Sequence, residues 1–304
     1  MSIQDDIKHP FRSGNMLLQL IIVNIAIFLI LNVFRLIFFF QGYTEINLDI
    51  VFFKRVLQWV AMPERFDEFI YKPWTVFTYM FIQVDVLHVF FNMLMLFLFG
   101  RLMQQLMGNG RILAIYIYGG LMGAVLTIIF HSTIPVLYLN SGPLLGASGS
   151  VMAIVIATIT YAPNMRVMLL LFGEIRLIYL GLIYVVIDLV GISYADGTGH
   201  ICHLGGALMG FLFVKAMQNG RDLSRAFNKG FYALTGLFKA KKPRMKVVKT
   251  SASVRTGHLQ AGAGQSKAQV RERIDAILDK ISKGGYESLS KEEKDYLYRY
   301  GKDV

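Results

Sequence analysis

Six apolar runs recur along the first 220 residues, at roughly 17–40, 86–106, 111–131, 146–162, 175–194 and 199–218. Each approaches the ~20 residues that an α-helix needs to cross the hydrocarbon core of a bilayer. Lipid offers no partner to a bare amide, so runs of this kind must close their hydrogen bonds as helices. The fifth is the least clean, because Glu174 and Arg176 stand at its start. Over the 304 residues, 55% are hydrophobic and only 17% charged, which excludes a soluble globular domain. The expected fold class is an all-α membrane protein, a six-transmembrane-helix bundle.

The polar opening MSIQDDIKHPFRSGN precedes a run too long for a signal-peptide core, and no small-residue cleavage pattern follows. The first span is therefore expected to stay in place. Basic residues set the orientation. Arg101 and Arg111 flank the loop after span two, Arg166 and Arg176 the loop after span four, and Lys215, Arg221 and Arg225 follow span six. Residues 132–145 and 191–199 carry no Lys or Arg. Both termini are thus expected in the cytoplasm, with the chain in the cell (inner) membrane, and spans two, four and six enter from outside. Cys202 is the lone cysteine, so no intrachain disulfide forms.

From residue 221 onward the chain holds 19 Lys and Arg against 9 Asp and Glu, which is nearly all of its net +11. The densest part, KAKKPRMKVVK at 239–249, reads as a membrane-proximal segment drawn to anionic lipid, worth about 1 kcal/mol per basic residue. No nucleic-acid-binding signature accompanies it, so nucleic acid is not an expected partner. Residues 250–266 read as a flexible linker. Beyond it, Ile274, Ile277, Leu278 and Ile281 mark one helix face, and Ser290 and Glu293 have capping-box spacing before a second helix. The expected domains are a cytoplasmic segment 1–16, a six-helix core 17–218, a basic juxtamembrane segment and linker 219–266, and a short helical cytoplasmic C-terminal module 267–304.

Polar residues inside spans are costly and point to function. Ser148 follows the entry of span four near Leu144, and His203 the entry of span six near Gly199, each about 6 Å deep at 1.5 Å per residue. His88 and Asn92, four apart at the start of span two, share one helix face. Any one of these residues alone is more often structural. Together, on three helices and in one outer layer, they form a candidate reaction site. Gly206 and Gly210 form GxxxG beside His203, and Gly146, Gly149, Ala153 and Ala157 offer small residues on span four for close approach.

A serine hydrogen-bonded to an imidazole becomes a nucleophile. Asn92, His88 and the Ser148 N–H are candidate donors to the oxyanion that attack on an amide creates. The nucleophile elbow G-x-S-x-G is not matched, since Ser150 takes its last position. His200 and His203 stand i, i+3, but no H-E-x-x-H is present and the expected third ligand is only His88, so no metal or other cofactor is expected.

GASG opening span four, HVFFN in span two and HLGGALMG in span six together resemble the rhomboid intramembrane serine proteases. The resemblance covers about residues 15–218, and PWTVFT, Gly100, Gly108 and YIYGG extend it. It implies Ser148 as nucleophile, His203 as general base, and an oxyanion hole of His88, Asn92 and the Ser148 and Ala147 N–H groups. It implies a dyad without a third carboxylate, which leaves Asp188 a structural role, and the Gly206 and Gly210 register selects His203 over His200. Thr75 departs from the family, where arginine often follows the loop tryptophan. The expected activity is cleavage of transmembrane protein substrates near their outer ends through an acyl-enzyme. The alternative is a non-proteolytic binding or quality-control module like the inactive relatives. A transporter would carry its ionisable groups along a path through the bilayer, which is not the pattern here. The tail resembles a segment attached to some bacterial rhomboids.

Overall fold

The computed structural model describes residues 14–134, 136, 142–169, 173–193, 197–238 and 267–300. Most of the expected N-terminal segment, the basic stretch 239–249 and the linker 250–266 lie outside the described residues. The chain divides into two compact units, Met1–Ala240 and Lys241–Val304.

In the first unit, α1 spans Met16–Phe40 and α2 spans Glu45–Arg55. They are followed by α3 Val86–Met107, α4 Ile112–Thr133, α5 Ser148–Tyr161, α6 Leu177–Gly191, α7 Gly197–Gln218 and α8 Leu223–Phe238. Four helical segments are long and apolar enough to cross a membrane: α1, α3, α7 and Asn109–Thr133, which contains α4. The other two expected spans are shorter apolar helices, α5 with 14 residues and α6 with 15.

The fifth run starts differently from the expectation. Arg166–Leu169 and Gly173–Arg176 form an antiparallel hairpin, β1 and β2, in the register Arg166↔Arg176 to Leu169↔Gly173. Glu174 and Arg176 therefore belong to a strand with exposed edges rather than to a helix, and the fold is not purely α. The hairpin lets the charged ends face out while its backbone groups pair with each other.

α5 is the central element, packed on α7, α4 and α3. Every residue from Gly149 to Ile159 is buried, so this helix shows no polar face at all. Contact with α7 is backbone on backbone. A methyl at Gly206 would fall inside the van der Waals envelope of the Gly149 carbonyl oxygen, and Gly210 faces the Ala153 carbonyl in the same way. By contrast, α1 and α6 present apolar side chains outward, among them Leu29, Val33, Leu182 and Val186.

Between α2 and α3 the chain is pinned by its own polar groups. Trp74 Nε1 donates to Trp59 O at 2.8 Å, and Thr78 Oγ1 to Val60 O at 2.7 Å. Thr75, where the family often has arginine, is buried, and its hydroxyl donates to Lys72 O at 2.6 Å. Met62 and Leu144 exchange backbone hydrogen bonds, tying this loop to the approach to α5.

At the opposite end, Asp222 precedes α8. It accepts from the Ser224 N–H and hydroxyl and from Arg111 at 2.7 Å. Burial raises its pKa, but the Ser224 and Arg111 hydrogen bonds outweigh this and hold the carboxyl below its ordinary value.

In the second unit, α9 Lys267–Gly284 and α10 Lys291–Tyr300 are antiparallel neighbours in sequence. Ile274, Ile277 and Leu289 are buried, while Leu278 is half exposed. The capping box closes reciprocally: Ser290 N donates to Glu293 Oε2 at 2.8 Å, and Glu293 N to Ser290 Oγ at 3.3 Å.

Two outcomes test this packing. Gly206→Val overfills the α5–α7 contact and lowers stability by about 1–3 kcal/mol in detergent unfolding; an unchanged unfolding midpoint contradicts the contact. Asp222→Asn keeps an oxygen for the Ser224 cap but removes the charge paired with Arg111, and costs up to about 1 kcal/mol at neutral pH. Because the folded pKa is depressed, this stabilisation is present above the unfolded value. The gap between wild type and variant closes as pH falls through the folded pKa.

Candidate active site

Ser148 is the first helical residue of α5, with the buried Ala147 as its N-cap. The expected helical entry from Leu144 does not occur. Gly146 has φ +124°, a conformation that bars side chains and cannot continue a helix, and its N–H donates to Tyr79 O at 3.0 Å. Residues 142–145 therefore approach as non-helical chain, bridged at Leu144 to Met62, and the helix begins at the serine itself. The unpaired N–H groups of its first turn point toward whatever occupies the space above Ser148.

Gly146 also separates two side chains. A methyl there would lie 3.1 Å from His88 Cε1 and 3.6 Å from Ser148 Oγ. His88 is held at the start of α3, where its N–H caps onto Asp85 Oδ1 at 2.7 Å.

Ser148, Asn92, Asp188, His200 and His203 line one cavity of about 330 Å³, walled by Phe91, Met95, Val151, Met152, Val155, Tyr184 and Ile187. His88 is not among its lining residues and lies across Gly146. Four helices thus meet here: α3 brings Asn92, α5 Ser148, α6 Asp188, and α7 the two histidines. Among the described contacts, no hydrogen bond joins Ser148 Oγ to His203.

Both histidines instead engage Asp188. His203 Nδ1 lies 2.9 Å and His200 Nδ1 2.8 Å from the same oxygen, Asp188 Oδ1. An ionised carboxylate only accepts, so each imidazole carries its proton on Nδ1. His203 Nε2 is then left with its lone pair free for a proton from a hydroxyl. Asp188 Oδ2 is buried without a partner. The neighbour of the His200–His203 pair is Asp188, where the sequence suggested His88. Asp188, His200 and His203 form the one described set of side chains able to share a metal ion.

Asn92 is held by a chain of buried amides that the sequence did not reveal. Asn92 Nδ2 donates to Gln83 Oε1 at 2.8 Å, and Gln83 Nε2 to Asn24 Oδ1 at 3.1 Å. Asn24 Nδ2 reaches Leu20 O and Tyr116 Oη, and Tyr116 Oη donates to Met80 O at 2.8 Å. Asn24, Gln83 and Tyr116 are wholly buried. One Asn92 N–H is thereby consumed and the side chain fixed, with the second N–H left for the cavity. The available signal was an asparagine inside the first apolar run, a costly residue without an evident partner.

The rhomboid domain profile matches residues 71–219. The chain belongs to the rhomboid family. Residues 264–303 match a family of unknown function, DUF6576. The rhomboid segment is 30% identical over 137 residues to the presenilin-associated rhomboid-like protein A, mitochondrial, of Danio rerio, covering 44% of this chain and 35% of that one. It is 29% identical over 160 residues to the rhomboid protease GluP of Bacillus subtilis, covering 51% and 28%. The inactive rhomboid-related protein 2 of Caenorhabditis elegans shares 28% over 175 residues, covering 54% and 47%. The chain spans less than half the length of each of these relatives. A rhomboid domain and long apolar helices make it a membrane protein. Proteins named as protease and as inactive both occur among its relatives, so the chemistry rests on the residues.

Replacing Gln83 by Leu strands Asn92 Nδ2 and Asn24 Oδ1 in a dry interior. The expected loss is about 1–3 kcal/mol for each orphaned group, read by detergent unfolding. A Gln83→Leu protein as stable as wild type contradicts the network.

Proposed function

We propose that this chain is an intramembrane serine endopeptidase that cleaves transmembrane segments of membrane proteins near their outer ends. The observation that carries the reading is the shared cavity, in which Ser148 at a helix N-terminus faces an imidazole whose other nitrogen is fixed by a carboxylate.

In this mechanism His203 Nε2 takes the Ser148 hydroxyl proton as Oγ attacks the scissile carbonyl. The oxyanion is stabilised by the Ser148 and Ala147 N–H groups, Asn92 Nδ2 and His88, helped by the positive end of α5. His203 then gives the proton to the leaving amine; water, deprotonated by the same base, attacks the acyl-enzyme, and His203 returns that proton to Ser148 Oγ as the acyl group leaves. Asp188 positions His203 and stabilises its imidazolium, so the catalytic unit is a Ser–His pair with a buried carboxylate behind it. The resemblance alone implied a dyad and a structural Asp188; the 2.9 Å contact supports the fuller role.

α5 and α6 serve as spans four and five of a six-span core over 17–218. At 1.5 Å per residue α5 rises only about 21 Å, short of the ~30 Å hydrocarbon core. A helix that ends at the cytoplasmic surface would have its N-terminus recessed from the outer one, which supports a Ser148 below that surface. Positive loops put both termini in the cytoplasm of a cell (inner) membrane, with the 219–266 segment near anionic lipid and residues 267–304 as a cytoplasmic module. Gly149, Gly206 and Gly210 hold the helices at the required separation, whereas Gly146, expected to pack in the same way, lies before the helix and leaves room for His88 beside Ser148.

The test is cleavage of a reporter transmembrane substrate in liposomes. Ser148→Ala and His203→Ala are expected to lose at least about a thousandfold in rate. Asp188→Asn loses about a hundredfold in kcat with KM little changed, and His200→Ala stays active. Cleavage surviving in Ser148→Ala refutes the serine mechanism. Wild type that binds such substrates without cutting them favours the non-proteolytic module.

A further inference from the structure

Two imidazole N–H groups converge on one oxygen of Asp188 while the other carboxylate oxygen is buried and unpartnered. This is a wasteful distribution of polar groups in a dry interior, where an orphaned acceptor is costly. It is also the donor set of a borderline-soft cation: two imidazoles and a carboxylate, with one ligand atom of each lying within 4.8 Å of the others. His200 stands apart from the dyad chemistry and has no task in the proposed reaction. It also borders a second cavity, lined by Val186, Ile187, Val190 and Gly191.

We propose that Asp188, His200 and His203 form an inhibitory Zn²⁺ site that switches the protease off by capturing its general base. The inference deepens the serine-protease reading of the same cavity and rests on it for its regulatory meaning. Tetrahedral zinc with bonds of about 2.0–2.1 Å separates its ligand atoms by about 3.3 Å. The two Asp188 contacts, at 2.8 and 2.9 Å, need to open by about half an ångström, and the two imidazole nitrogens, which lie within 4.8 Å, come to the same spacing. Each imidazole moves its proton from Nδ1 to Nε2 and donates the vacated Nδ1 lone pair to the cation. Asp188 contributes a carboxylate oxygen, and the fourth position is open to water. No net proton or electron is gained or lost at the two rings. The consequence for catalysis is direct: His203 Nε2 now carries a proton and cannot accept one from Ser148. Zinc therefore inhibits by fixing the wrong tautomer, without blocking the substrate path.

The experiment separates this proposal from the protease reading by measuring binding in a protein that does no chemistry. Zn²⁺ is titrated calorimetrically into untagged, full-length Ser148→Ala protein in detergent, and Co²⁺ is followed by its visible absorption. One ion is expected to bind with tetrahedral Co²⁺ bands. Adding His200→Ala or Asp188→Asn weakens binding by more than about tenfold, the loss that even outer-shell partners of a metal can cause. Gly191→Ala, whose new methyl would collide with the His200 ring, weakens it without removing a ligand. In the cleavage assay, wild type is inhibited by Zn²⁺ and restored by EDTA, whereas the cleavage that His200→Ala carries out resists inhibition. Failure of Ser148→Ala to bind Zn²⁺, or binding indifferent to His200→Ala and Asp188→Asn, overturns the proposal whether or not wild type proves to be a protease. Inhibition of His200→Ala equal to that of wild type overturns it as well.

Discussion

The site depends on the backbone contact between α5 and α7. Between helices in lipid no hydrophobic drive exists, so association rests on close packing and on hydrogen bonds. Gly149, Gly206 and Gly210 remove the side chains that would hold the two axes apart, and each α7 glycine meets a carbonyl of α5. The first turn of α5 is thereby laid beside the second turn of α7. Ser148 and His203, 55 positions apart in the chain, come to line one cavity because nothing larger than hydrogen stands between their helices.

Within that frame, Asp188 governs the electrostatics. A lone carboxylate buried on α6 would be expensive, and the two histidines on α7 make it tolerable by donating to it. The same arrangement sets the tautomer of His203. On the proposed serine-protease reading, the carboxylate that would orient the general base is also the one that would share it with a competing cation, and His200 is the residue that distinguishes the two roles.

Much of the architecture was legible in the chain. The apolar runs marked four long helices and two shorter ones, the Ser290–Glu293 spacing marked a reciprocal cap, and i, i+3, i+4 spacing marked the buried face of α9 at Ile274 and Ile277. These are local signals, carried by residues within a turn or two of one another. The candidate residues Ser148, His203, Asn92 and His88 were also visible, since polar groups are conspicuous in apolar segments. The hairpin 166–176 was not, because a short run with Glu174 and Arg176 at its edge satisfies a helix pattern as readily as a strand pattern. Nor was the helical start at Ser148, which is set by the left-handed Gly146 and its bond to Tyr79 O.

The sequence by itself determined that this is a membrane-embedded helical protein with a small set of polar residues in its apolar segments, because hydropathy and the cost of burying charge are properties of the residues themselves. Only the tertiary structure decided which partners those residues take. Asp188 reaches His200 and His203 from a different helix, and Asn92 is fixed through Gln83 to Asn24 and Tyr116, across separations of 9 to 92 positions. Such pairings follow from how helices rotate and approach one another. One chain read in order holds the groups that must be satisfied, while the packing of the bundle settles which group satisfies which.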